Sequence, residues 1–174
     1  MFSTLRTVFE RALITIVVTL LATLAVVVLM GVFYRKMGWP LVWYDEGASI
    51  LLAWLTYYGA ALAALKRAHI GFPGLVNAFK PSVRVPMVVL GEAIIISFFA
   101  VMAYYSYQVL VILEGDTMVS LPSISVQLTQ SVIPIGCVLF ILAQLFSMPE
   151  VLQQARGKGI VDAEERELEE ALKK

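Results

Sequence analysis

The chain has 174 residues, of which 60% are hydrophobic and only 15% charged, where a soluble domain carries roughly a quarter charged residues. Thirteen Lys and Arg balance thirteen Asp and Glu, so total charge points to neither an acidic nor a basic partner, and no nucleic-acid partner is expected. Cys137 is the single cysteine and His69 the single histidine, which excludes an internal disulfide and a closed His/Cys zinc site; no cofactor is expected in this chain.

About 20 apolar residues cross a bilayer as a helix. The first stretch free of Asp, Glu, Lys and Arg runs over 12–34. Arg6 and Arg11 precede it, but it is longer than a signal-peptide apolar region and continues into Arg35 and Lys36 without a small-residue cleavage site. It is expected to stay as an anchor. A short connection with Gly38 and Pro40 follows, read as a turn.

The second span is expected over 46–66. Trp43-x-x-Glu46 opens it, placing an aromatic and a carboxylate on one helix face, and a carboxylate in the first turn is favoured by the helix dipole. That reads as an anchor with a capping charge, or as a contact point for another chain. Further along, Gly59-x-x-x-Ala63 and Ala60-x-x-x-Ala64 are small-residue pairs that let helix backbones approach closely. Whether the neighbouring helix belongs to this chain or another is open.

The connection after the second span carries Lys66, Arg67, His69, Lys80 and Arg84. Ile70, Phe72, Leu75, Val76 and Phe79 are interleaved, a pattern that suits a short interfacial helix between Pro73 and Pro81. His69 is read as a local hydrogen bonder. The third span is expected over 85–112, with Glu92 as its one ionisable residue. A charge at that depth must face protein or water. It can reach toward Lys66 or Arg67, so an ion pair or interface role is preferred over ion or substrate coupling. Tyr104, Tyr105 and Tyr107 read as interfacial anchors.

The fourth span is expected over 123–147, kinked at Pro134, with Gln127, Gln130 and Gln144 as interhelical hydrogen bonders. Composition changes after Gly159, and Asp162–Lys174 is expected to form a short soluble helix supported by Glu169–Lys173 and Glu170–Lys174 pairs. All Lys and Arg except Arg35 and Lys36 fall on one side of this layout. The positive-inside rule then puts both termini in the cytoplasm and Trp39, Trp43 and Tyr44 at the outer surface. The expected organisation is a cytoplasmic tail over 1–11, a four-helix membrane domain over 12–148, and a cytoplasmic tail over 149–174. The fold class is an all-α integral membrane protein, and no catalytic constellation is present.

In order and spacing these motifs resemble a known family. Trp43-x-x-Glu46, Tyr58-Gly59-Ala60-Ala61, His69-Ile70, Leu121-Pro122 and Ile133-Pro134-Ile135-Gly136 look like the small, DctQ-like membrane subunit of tripartite ATP-independent periplasmic (TRAP) transporters, over roughly 11–148. Phe72-Pro73-Gly74 departs from the Val-Asp-like pair usual there. The resemblance implies a bacterial inner-membrane heterodimer with a large subunit that holds the substrate and sodium sites, and a periplasmic binding protein that delivers an organic acid such as a C4-dicarboxylate or sialic acid. It implies a scaffolding role for this chain. Trp43, Glu46, Gly59, Ala60, Ala63, Lys66, Arg67, His69 and Glu92 are the candidate partner-interface residues. Trp39, Tyr44 and Asp45 are the candidates for binding-protein docking. The competing reading is a self-sufficient four-helix transporter of the multidrug-exporter type, against which the one-sided basic charge argues.

Overall fold

The computed structural model describes residues 2–68, 73–157, 159–160 and 172. His69 lies outside them, as does nearly all of the segment expected to form the C-terminal helix. The described residues form six helices: α1 (Phe2–Lys36), α2 (Tyr44–Lys66), α3 (Pro73–Asn77), α4 (Pro81–Ile112), α5 (Val126–Gln130) and α6 (Val132–Arg156). The only extended pairing among them is an isolated bridge, Thr117 to Ser125. Four helical stretches are long and apolar enough to cross a membrane: Thr4–Lys36, Tyr44–Lys66, Pro81–Ile112 and Val126–Arg156. The all-helical, four-span layout expected from the sequence is therefore present.

Helices α1 and α6 are longer than the apolar stretches suggested. The first already begins at Phe2, and the last continues through Pro149 to Arg156. A short helix, α3, does occur between α2 and α4, and it occupies only five residues.

The break near Pro134 falls three residues earlier than the proline itself. A proline ring clashes with the carbonyl of the residue four before it, here Gln130, the last residue of α5. The chain turns at Ser131, and Pro134 then sits in the first turn of α6, where a missing N–H leaves no helical bond unmade. Ser125 caps α5, its hydroxyl accepting from Gln127 N at 3.1 Å.

The packing order is α1–α2–α6–α4, with α6 between α2 and α4. Side-chain size explains why α6 takes the centre. Its buried residues are Gly136, Cys137, Phe140, Ala143, Gln144, Ser147, Val151 and Ala155 after Val132, at helical spacings of three and four and mostly small. Small residues let two neighbours approach one helix closely. Leu13 of α1, Ala61, Ala64 and Leu65 of α2, and Phe140 and Ala143 of α6 make the core cluster. Phe99 of α4 stacks on Phe140 with ring centroids 3.9 Å apart. The flanking spans differ: the most apolar window is 39% buried in Val126–Arg156 but 6% buried in each of Thr4–Lys36 and Pro81–Ile112.

The start of α1 meets the end of α6. Phe9 and Phe146 lie 5.5 Å apart, and Arg6 donates to Glu150 at 3.1 Å. The first and last spans therefore bring their terminal ends to the same end of the protein.

Candidate functional site

Most candidate residues gather at two polar levels, one at each end of the spans. At the end where α1 begins and α6 finishes, α2 finishes in a Schellman turn. Ala68 N donates to Ala63 O at 2.9 Å and Arg67 N to Ala64 O at 3.2 Å, which satisfies carbonyls left over by the helix. The left-handed position of such a turn usually holds glycine; here it holds Arg67, at φ 56°. A non-glycine residue costs about 1–2 kcal/mol there, so its side chain must offset that cost.

It does so by reaching α4. Arg67 Nη1 lies 2.5 Å from Glu92 Oε1, the pairing that charge placement in the sequence suggests. Glu92 is 5% exposed and sits about 16 Å along α4 from its start at Pro81. Lys66, the other cation within reach by sequence, turns instead to Glu10 of α1 at 3.6 Å. Arg67 and Glu92 thus tie α2 to α4 across α6, while Lys66 and Glu10 tie α2 to α1.

Arg84 makes a third tie that sequence reading left out. It is 4% exposed and donates from Nε to Ala155 O and from Nη2 to Gly157 O, both at 2.7 Å. A guanidinium on α4 therefore caps the C-terminal carbonyls of α6, where a positive charge also complements the helix dipole. Asn77, just before the α4 connection, exchanges two hydrogen bonds with the backbone of Ile160, both at 2.8 Å. These contacts were invisible in the sequence because one partner in each is a backbone group, which carries no residue signature.

At the opposite end, Glu46 works within the chain. It accepts from Val119 N at 3.2 Å, from Ser120 N at 2.8 Å and from the Ser120 hydroxyl. The carboxylate at the start of α2 thereby fixes the loop between α4 and α5. Trp43 occupies the N-cap position, with its ring beside Gly47. Tyr44 packs its ring onto Gly31 of α1, where any Cβ would overlap it, and Arg35 lies 5.7 Å from the ring centroid. Asp45 pairs with Arg35 at 3.6 Å in the open, both side chains more than half exposed. Trp39 is 71% exposed, and Val42 and Val119 are more exposed still.

Between the two ends, Trp54 Nε1 donates to Thr129 O at 2.9 Å. Gln127 Nε2 donates to Leu110 O at 3.1 Å, an interhelical bond of the kind expected for that residue. Of the small residues in α2, Ala61 and Ala64 are buried against α1 and α6 and Ala60 packs on the same cluster. Gly59 has open space where a Cβ would stand, and Ala63 is half-buried. A groove of about 300 Å³ opens beside α6 between Tyr57 of α2 and Met102, Tyr105 and Ser106 of α4.

Taken together, the charged groups at both levels join one helix to another or a loop to a helix. Among the described residues, no three His, Cys, Asp or Glu side chains come together as metal ligands. A family model for tripartite ATP-independent periplasmic transporters, DctQ component, matches residues 24–154. Comparison with curated proteins gives no match.

Proposed function

Because this chain belongs to the DctQ component family of tripartite ATP-independent periplasmic transporters, we propose that it is the small membrane subunit that scaffolds the large transport subunit during sodium-driven uptake of an organic acid. The family places the chain in a transporter and in a multi-pass membrane setting. The observation that carries the scaffolding reading is the way Glu92 is used. The carboxylate deep in α4 is paired with Arg67 and shielded at 5% exposure, so it braces helices where a coupling site would need to be reached by substrate or ion.

On this reading the substrate and sodium sites belong to the large subunit, and the substrate is of the C4-dicarboxylate or sialic acid type. The end with the termini faces the cytoplasm of a bacterial inner membrane, as the basic residues favour, and α3 lies at that surface. The little-buried sides of α1 and α4 offer apolar area for the heterodimer and for lipid. The opposite end, with exposed Trp39 and Val119 beside Asp45 and Tyr44, meets the periplasmic binding protein. The partner-interface candidates Gly59, Ala63 and Trp43 remain available to that larger subunit.

Affinity purification tests the proposal. Tagged and co-expressed with the large subunit in mild detergent, the chain is expected to bring that subunit down in a one-to-one complex. Purified alone in proteoliposomes, it is expected to move no solute. Solute flux by the chain alone would instead support the self-sufficient exporter.

A further inference from the structure

Three helices converge near the end where α1 begins and α6 finishes, and four buried polar atoms there have no partner among the described residues: Arg67 Nε and Nη2, Glu92 Oε2 and Gln144 Oε1. Register brings the residues that carry these atoms within about one helical turn of each other. Arg84 meets Ala155 and Phe99 stacks on Phe140, so antiparallel α4 and α6 set Glu92 level with Ser147. Gln144 is three residues from Ser147, about 5 Å along the helix. Helices α2 and α6 run in parallel, with Tyr57 against Gly136; ten residues further along each, Arg67 reaches the level of Phe146. Glu92 and Gln144 are each 5% exposed, and Ser147 is fully buried.

Buried polar atoms are nearly always hydrogen-bonded, because stranding one forfeits its hydration. Four such atoms at a single junction point to an occupant, and their chemistry selects it. An added anion would face the Glu92 carboxylate, and an added metal ion would face the Arg67 guanidinium. Either would bury net charge beside a pair that is already neutral. Guanidinium N–H groups on one side and two oxygen acceptors on the other suit a neutral molecule that both accepts and donates. Water does both, and buried waters typically make about three such bonds. The Arg67 side chain is 20% exposed and so marks the route to bulk water, whereas acceptors this buried are closed to a side chain of another protein.

We propose that ordered water occupies the Arg67–Glu92–Gln144 junction, accepting from the free guanidinium N–H groups and donating to Glu92 Oε2 and Gln144 Oε1. The water keeps the ion pair one-pronged. It lies behind the Arg67 side chain, so the carboxylate stays shielded from bulk solvent. This inference concerns the chain's own residues and stands apart from the identity of its partners.

Water-edited solid-state NMR on the full chain in lipid nanodiscs, labelled at Arg and Ala nitrogens and Glu carbons, tests it. The Arg67 signals are assigned by their loss in Arg67→Lys. Magnetisation from water is expected to reach Arg67 Nε and the Glu92 carboxylate several-fold faster than the backbone amide of fully buried Ala143. In Gln144→Leu, which removes one acceptor, transfer to Arg67 Nε is expected to fall several-fold while exposed Arg35 is unchanged. A wild-type Arg67 Nε as dry as Ala143 would mean that the guanidinium closes on Glu92 with both prongs, and the proposal would be wrong. Unchanged transfer in a folded Gln144→Leu protein would overturn it equally. If that variant fails to fold, the wild-type comparison decides alone.

Discussion

The two ends of the molecule use the same kinds of side chain to different effect. Near the termini, Arg67, Glu92 and Arg84 are withdrawn among the helices, and each joins two spans. At the opposite end, Arg35 and Asp45 stand in the open, and Glu46 holds a loop by its backbone. Both ends carry charge pairs, yet only one set lies where the surroundings give those pairs leverage. Removing one partner of a buried pair strands the other, whereas an exposed pair contributes about 1 kcal/mol or less. Depth decides what a charge does here, and a count of charges would miss it.

The contrast predicts a descending series of effects on thermal stability in detergent. Glu92→Ala is expected to cost the most, about 3 kcal/mol, because Arg67 is left uncompensated in a strained position. Arg84→Ala should cost about 2 kcal/mol by removing two charge-assisted bonds to the end of α6; hydrogen exchange should then rise at Val151–Arg156 before anywhere else in that helix. Glu46→Ala is expected to leave the melting temperature nearly unchanged and to act locally, speeding amide exchange at Val119 and Ser120 and exposing the loop to protease. Asp45→Asn should alter stability by less than about 1 kcal/mol. A melting shift for Asp45→Asn as large as that for Glu92→Ala would erase the distinction between the ends.

Chain-level features were legible because they depend on composition alone. The four spans follow from apolar length, and a pairing of Glu92 with Lys66 or Arg67 follows from a lone carboxylate within reach of the basic end of the preceding span; the structure selects Arg67. Packing order was not legible. Helix α1 is as apolar as α6 but buries only Leu13 and Gly31 among its described residues, against a whole buried stripe in α6; hydropathy reports distance from water, not which neighbour a helix meets. Glu46 was readable as a first-turn carboxylate, but its true partners lie 73 and 74 residues away, beyond any local pattern. Pro134 announced a disturbance correctly, while the steric clash moved the break to Ser131.

The central claim is that the polar groups of this chain brace helices and leave transport chemistry to its partner. It is tested most directly by replacing the buried pair with apolar residues of similar size, Arg67→Met with Glu92→Leu, and measuring sodium-driven uptake by the assembled transporter in proteoliposomes. The expected result is a complex that assembles and transports at close to the wild-type rate, since a well-packed apolar pair can substitute for a buried ion pair. A complex that assembles normally but has lost sodium-driven uptake would contradict the claim and place Glu92 in the transport step itself.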